Sequence, residues 1–442
     1  MKREIESDLL TWKNRREHWP LLLRGARQVG KSFVIEQFGK NHFKNLATVN
    51  FELEPEYMAC FISLHPSEII QAISLMKKQP IIPGETLLFL DEIQECPNAI
   101  KALRYFKEQM PELHVIGAGS LLEFTLNDAD FRMPVGRIQF IYLKPLSFRE
   151  YLTASGNGEL VNLLASATLE NKISEPIHQH LLKLLREYFV LGGMPEVLKN
   201  YLEESNLTQS QNIQTALLST YRKDFGKYAS RTNHKYLQQL FEKIPVLIGQ
   251  RVKYSKIDPE ARSRELKTAF ENLKYAGLIY PIYATTASGL PLISLINEKK
   301  IKMIFLDVGL IKRASDLDIN LLLQEDLLLM NNGAVAEQFV GQELLAYSNR
   351  YEESHLFFWE RDKPNSTAEV DFVITVDSRI IPIEVKAGTS RKLKSLQMFM
   401  EEKKSKIALR ISQLPLEFDG KILSIPLYMI SEIERLVKIY GQ

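Results

Sequence analysis

The chain has 442 residues, more than one ordinary domain needs, and its 45% apolar and 25% charged residues are the composition of packed globular domains. A formal net charge of +2 supplies no global basic field, so any nucleic-acid contact must come from a local patch. Two cysteines, Cys60 and Cys96, in no metal-like spacing exclude a disulfide framework and a cysteine-type zinc site, and they suit a reducing compartment.

The start, Met1–Asp8, is polar and lacks an apolar signal core. No stretch approaches the roughly 18 uninterrupted apolar residues of a membrane span. A cytoplasmic protein with no membrane partner is expected.

The apolar run Leu21–Leu23 is followed by Gly25-Ala26-Arg27-Gln28-Val29-Gly30-Lys31-Ser32 and then by a helical pattern, Phe33–Phe38. This is G-x-x-x-x-G-K-S in the strand–loop–helix context that a phosphate-binding loop needs. Glycines let the backbone curl so that its N–H groups face phosphate oxygens, and the helix starting near Lys31 points its positive end at the same place. Lys31 would supply a point charge to the β- and γ-phosphates and Ser32 a hydroxyl to Mg²⁺, so ATP and Mg²⁺ are the expected cofactors.

Further β-prone runs fall at Ala47–Phe51, Leu87–Leu90, His114–Ile116 and Phe140–Leu143, with helical patterns at Ser67–Met76 and Ala99–Met110 between them. Alternation of this kind predicts an α/β domain with a parallel sheet wrapped by helices. Leu87–Leu90 reads as a buried central strand whose carboxyl end presents Asp91 and Glu92. Asp91 would hold the Mg²⁺ shell and Glu92 would act as general base on the attacking water. Ser120, after the next strand, is a γ-phosphate sensor or simply a small turn residue. Arg137 is a finger onto the γ-phosphate, in cis or from a neighbouring copy, or a solvated surface arginine.

Ser147-Phe148-Arg149-Glu150 spells a capping box and opens a helix through Leu152. From Ile177 to Arg231 the pattern is mainly helical, broken by Gly192-Gly193-Met194-Pro195, a turn or a hinge. A short helix at Ser255–Ile257, an amphipathic helix at Arg264–Ala276 and a hairpin of Leu278–Tyr283 with Pro291–Leu295 predict a winged helix, which reads DNA through Leu266–Leu273 or packs on protein. Asp316–Met330 is a leucine-rich, acidic helix.

Beyond it a new unit runs from a helix at Val335–Ser348 through strands at Leu356–Trp359, Val370–Val376 and Ile380–Val385 to a helix at Lys392–Glu402, with shorter strands at Ile407–Ile411 and Ile422–Pro426. Strand alternation gives Glu384 and Lys386 one face. A two-residue turn at Asp377-Ser378 would set Asp371 directly across from Glu384. Two carboxylates and a lysine on one patch suit Mg²⁺-dependent phosphodiester hydrolysis: Asp371 and Glu384 hold the metal, Glu337 on the preceding helix is a third ligand, and Lys386 orients or deprotonates a water. An exposed sheet face of alternating charge would look the same. Arg391, Lys392 and Lys394 could grip phosphates or simply be a solvated helix start, and Phe358 and Trp359 read as core.

The stretches 23–32, 91–94 and 143–151, with Leu191-Gly192-Gly193-Met194-Pro195-Glu196 and Phe305-Leu306-Asp307-Val308-Gly309-Leu310, resemble the AAA-type P-loop ATPases of bacteria and archaea that carry a C-terminal domain of unknown function. The likeness covers nearly the whole chain. It implies an AAA-like core, a winged-helix region and a terminal restriction-endonuclease-like fold of the PD-(D/E)xK kind. The chain departs from that family at Gly119-Ser120, where a Ser-Ser pair is frequent. The expected division is 1–155 for the ATPase domain, 156–232 for a helical lid, 233–315 for the winged helix and 316–442 for the nuclease-like domain. Two functions follow: an ATPase whose nucleotide state drives DNA binding or cutting, or a nucleotide switch whose terminal domain is a non-catalytic scaffold. DNA, a protein partner and a second copy of the chain are the candidate partners.

Overall fold

The computed structural model describes residues 1–127, 131, 136–228, 231–315, 332–363, 366–386 and 393–441. The expected helix at 316–330 and the cations Arg391 and Lys392 lie outside these. Among the described residues no helix is long and apolar enough to cross a membrane. By contacts the chain divides into two compact units, one of Met1–Lys144, Tyr275–Gly277 and Asn349–Glu353, the other of Pro145–Lys274, Leu278–Ser348 and Ser354–Gln442.

The first unit holds helices α1 (Ile5–Lys13), α2 (Lys31–His42), α3 (Pro66–Lys77), α4 (Pro97–Gln109) and α5 (Leu122–Leu126) around strands β1 (Leu21–Arg24), β2 (Asn45–Asn50), β3 (Thr86–Asp91), β4 (His114–Ala118) and β5 (Gln139–Tyr142). The strands form one sheet in the order β2-β3-β4-β1-β5, every pair parallel. β3 and β4 are buried along their whole length, which explains their continuous apolar runs. On one side of the sheet Leu22, Val49, Leu88, Leu90 and Val115 pack with Ile69, Ile73, Ile100, Leu103 and Phe106 from α3 and α4. The sheet order sets β4 between the strand that leads into the glycine loop and the strand that ends in Asp91.

The second unit begins with a cluster of helices: α6 (Phe148–Ala154), α7 (Gly158–Ser166), α8 (Glu175–Leu191), α9 (Pro195–Glu204), α10 (Leu207–Tyr228), α11 (Arg231–Leu247), α12 (Tyr254–Ile257) and α13 (Ser263–Tyr275). α6 starts in the expected capping box, Ser147 Oγ accepting from Glu150 N while Glu150 accepts from Ser147 N. The Gly192–Pro195 break is a buried turn: Gly193 N donates to Asp307 Oδ2 at 2.6 Å, and Gly193 O accepts from Leu146 N at 2.7 Å.

The hairpin after α13 differs from expectation. Its strands are β6 (Ile279–Thr285) and β7 (Ile296–Phe305), while Leu292–Leu295, expected as the second strand, is a 3-10 turn. Cα pairing of Ile279 with Phe305 shows why: β7 must reach Phe305 to match β6, so the strand starts later than the apolar run. β6 also pairs in parallel with β8 (Leu356–Glu360), which pairs with β9 (Glu369–Val370), so the hairpin and the C-terminal segment share one sheet, β7-β6-β8-β9. α14 (Val308–Ala314) and α15 (Asn332–Ala346) complete the connection. Gln338 on α15 accepts from Phe305 N and donates to Phe305 O, satisfying the end of β7 as a neighbouring strand would.

A third sheet, β10-β11-β12-β14-β13, is built from β10 (Phe372–Val376), β11 (Arg379–Val385), β12 (Ala408–Ser412), β13 (Glu417–Phe418) and β14 (Ile422–Pro426), with α16 (Lys394–Lys403) and α17 (Ile433–Tyr440) beside it in sequence. Asp377 and Ser378 both take positive φ, 47° and 59°, and Val376 pairs with Arg379. That is a two-residue hairpin turn of the kind whose twist matches the strands. Phe358 and Trp359 are buried, Trp359 meeting Phe399 edge-on.

Candidate functional site: a phosphate loop and a carboxylate cluster

β1 delivers the chain to the loop at the carboxyl edge of the sheet. Gly25 has φ 149°, and a Cβ there would stand 2.3 Å from Leu143 O. Gly30, with φ 92°, caps α2 in a left-handed conformation, so both glycines are required by shape. Gln28 also has positive φ, 64°. Arg27 and Gln28 thus turn the loop, while Ala26 and Val29 are buried beneath it. Lys31 Nζ donates to Gly25 O at 2.9 Å and to Ala26 O at 2.8 Å. These carbonyls use two of the three ammonium donors. Burial pushes the Lys31 ammonium down to about 8, with Glu92 and Asp91 pulling the other way.

Asp91 ends β3. Its Oδ2 accepts from Ser32 Oγ at 2.9 Å and from Asn50 Nδ2 at 3.1 Å, and its Oδ1 from Glu92 N at 3.1 Å. Burial raises its pKa. Ser32 and Asp91 therefore place two hard oxygen donors side by side at the mouth of the loop, the donor type that suits Mg²⁺. Glu92 sits at φ 47°. Its Oε2 accepts from Gln94 Nε2 at 2.7 Å, Ser120 N at 3.2 Å and Ser120 Oγ at 3.3 Å. Ser120, at the end of β4, is thus brought to Glu92.

Gly119 packs against the same arrangement. A Cβ at 119 would stand 1.8 Å from Gln94 Oε1, so the residue that differs from the Ser-Ser pair does so beside a glutamine occupying that space. Arg137 goes elsewhere. It precedes β5, whose Gln139 is level with Leu21 at the amino end of β1, the opposite edge from the loop. There Arg137 Nε donates to Glu108 at 3.1 Å, so within its own chain it does not approach the phosphate loop.

Asn50 and Gly277 escaped sequence reasoning, and Gln94, though part of the stretch 91–94, carried no assigned role there. Asn50 was readable in principle, since it ends the strand beside β3, at the edge where such sheets bind ligands. Gly277 carried no signal: it is far along the chain, yet a Cβ on it would lie 3.2 Å from Ala26 Cβ.

In the second unit the chain gathers a second polar group. Phe372 pairs with Ile383, so Asp371 comes level with Glu384 in the same register. Asp371 Oδ2 accepts from Val385 N at 2.7 Å, and Lys386 Nζ donates to Glu384 Oε1 at 2.5 Å. Glu337 reaches this cluster from α15, its Oε2 3.7 Å from Lys302 Nζ. Lys302, buried on β7, also pairs with Glu369. Burial raises the pKa of Asp371, of Glu384 and of Glu337, the last to about 7. Burial works against the charge of Lys302 and Lys386, but the surrounding carboxylates outweigh it and hold both above the usual lysine value.

Among the described residues no three acidic, histidine or cysteine side chains form a metal-binding set. Glu384 Oε2 is nevertheless buried without a hydrogen-bond partner. Two carboxylates completed by water and a substrate phosphate are the usual protein share of a Mg²⁺ site. Lys302 carries no signal in the sequence, since only the sheet β7-β6-β8-β9 brings it here, and Glu369, next to Asp371 in the chain, gains its role as the partner of Lys302 only through that sheet.

Residues 17–152 match a family model described as an AAA domain. Residues 182–320 and 332–429 match two models described as domains of unknown function, DUF8612 and DUF4143. With the sheet order and the loop, the first match supports an AAA-type P-loop domain in the N-terminal part. No curated protein matches the chain. Among solved structures the chain is similar to a Walker-type ATPase of Pyrococcus abyssi, at 16% identity and a TM-score of 0.45, covering 71% of this chain and 95% of that one. It is also similar to the Aeropyrum pernix Orc1 protein in complex with DNA, at 11% identity and a TM-score of 0.30, covering 72% and 93%. A third is Cdc6p from Pyrobaculum aerophilum, at 11% identity and a TM-score of 0.25, covering 74% and 96%.

Proposed function

We propose that the chain binds Mg·ATP at the loop, hydrolyses it, and couples nucleotide state to a nuclease-like C-terminal region that binds or cleaves DNA. The observation that carries the first half is the continuous hydrogen-bonded set Ser32–Asp91–Glu92–Ser120. Lys31 and the loop amides would hold the phosphates. Ser32 and Asp91 would hold Mg²⁺, which supplies charge neutralisation for the transferring phosphoryl group when bound. Three donors converge on Glu92 Oε2, which fixes the carboxylate and leaves Oε1 to take a proton from water.

For the C-terminal cluster, Asp371 and Glu384 would hold a divalent cation and Lys386 would orient the attacking water. Glu337, expected as a third ligand, faces Lys302 instead and completes no three-ligand set among the described residues. Full-length protein is incubated with plasmid and with single-stranded DNA, Mg²⁺ or Mn²⁺, and ATP. Metal-dependent cutting that disappears in Asp371→Ala and Lys386→Ala is the expected result.

One observation favours the alternative of a nucleotide switch with a non-catalytic scaffold. Lys302 already pairs with Glu369 and Glu337 and Lys386 with Glu384, so the cluster's own lysines offset part of its charge where a metal would. Under that reading no substrate is cut, and DNA binding is indifferent to Asp371→Ala.

A further inference from the structure

The amino-terminal edge of the first unit's sheet, opposite the phosphate loop, carries a cavity of about 580 Å³ whose lining includes Lys13, Arg15, Arg16, Lys107, His18 and His114. Four chain segments converge there: the one joining α1 to β1, the loop into β3, the end of α4, and the loop into β4. Four permanent cations face two carboxylates, so the cavity is positive before either histidine is counted. Lys13 and Arg15 have partial occupations, Lys13 over the Phe43 ring and Arg15 against Gln139 and the Tyr351 ring.

The two histidines point to a ligand. His18 and His114 are 6% and 7% exposed, and their rings stack at 3.7 Å. Nδ1 of each is buried with no hydrogen-bond partner. A buried polar atom left unpaired costs about 1–3 kcal/mol, so two of them on the wall of one cavity call for a reason. His114 Nε2 lies 3.1 Å from Lys13 O, and a carbonyl only accepts, so Nε2 carries the proton and Nδ1 of the neutral ring is a lone pair. An oxyanion can bond to that atom only if a proton arrives with it.

We propose that this cavity is an oxyanion site for a phosphate group carried by a ligand distinct from the nucleotide in the loop. Arg16 and Lys107 grip the oxygens, and the histidine pair takes up a proton as the anion enters. Burial, together with the charges of His114 and Lys107, holds His18 at about 4, and burial also lowers His114. The groups that face the pair are Lys13, Arg15, Arg16, Glu17, Lys107 and Glu112. An anion between these cations and the rings raises the imidazole pKa, so binding tightens as pH falls.

The test is calorimetric titration of the full-length protein at fixed ionic strength, its loop saturated with Mg²⁺ and a non-hydrolysable ATP analogue. The probes are sulfate, inorganic phosphate, AMP and a 12-nucleotide single-stranded DNA. Sulfate does not titrate in the working range, and its affinity should rise by about threefold or more between pH 7.5 and pH 5.5 if one imidazole is protonated on binding. Lys107→Glu and Arg16→Glu, both on the solvent side of the fold, should each weaken binding by about tenfold, a charge reversal beside the anion being worth more than 1 kcal/mol. Tighter AMP than DNA identifies a phosphorylated small molecule, and the reverse order a nucleic-acid backbone. Absence of saturable binding by all four probes, or binding that both variants leave unchanged, overturns the proposal.

Discussion

The Ser32 hydroxyl donates to Asp91 Oδ2 at 2.9 Å, joining the first residues of α2 to the last of β3 although β4 stands in the sheet between β3 and β1, the strand that leads into α2. The link fixes the two hard oxygens that a divalent cation would share. Ser32→Ala should lower Mg²⁺-dependent ATP turnover by about a hundredfold, while nucleotide binding measured without metal changes little. Steady-state ATPase and fluorescent-nucleotide binding, each with and without Mg²⁺, check this.

Gly119 gives a sharper test of the Glu92 clamp. Gly119→Ser adds a Cβ 1.8 Å from Gln94 Oε1, and Gln94 must move off Glu92 Oε2. We expect kcat to fall by about tenfold with KM nearly unchanged, since only the group acting on the water is disturbed. Gln94→Ala in the same chain frees the space. The double variant should therefore lose less than the product of the two single effects.

Gly193→Ala addresses stability. Its Cβ would stand 2.0 Å from Leu146 O, in a turn that is buried and hydrogen-bonded to Asp307. A clash with backbone has no cheap relaxation, so a loss of about 2 kcal/mol or more is expected, read as an early transition in thermal unfolding.

The N-terminal fold was legible because its signals are local. Leu87–Leu90 is apolar without alternation because β3 is buried on both faces, and the loop follows a strand and opens a helix as its glycines require. Asp371 and Glu384 could be aligned because a two-residue turn leaves one register. The rest depended on long-range pairing. β7 begins at Ile296 because β6 selects its partner, and Lys302 meets Glu337 and Glu369 only through the fold of β7 and α15. Arg137 illustrates the converse: a residue near β5 in sequence belongs to the end of the strand away from the loop.

Asp307 makes stability depend on pH. Burial raises its carboxyl to about 6 in the fold, although Gly193, Leu310 and Gly309 amides favour its charged form. Its ordinary value is 3.8, so between 3.8 and about 6 the folded state holds a proton that the unfolded state has lost. Stability from this group is therefore lost as pH rises through that window, by about 3 kcal/mol at 1.36 kcal/mol per unit. Asp307→Asn abolishes that slope. Denaturant titrations of both proteins from pH 4 to 7 should show the wild type declining relative to the variant.

The central claim is that the loop and the Asp91–Glu92 pair form one Mg·ATP hydrolysis site. Its most direct measurement is ATP turnover alongside ATP binding in wild type, Lys31→Ala and Glu92→Gln. Lys31→Ala should lose binding and turnover together. Glu92→Gln should keep binding and lose turnover by about a hundredfold or more, as removal of a general base does. Turnover unchanged in Lys31→Ala, or unchanged in Glu92→Gln, would contradict the claim.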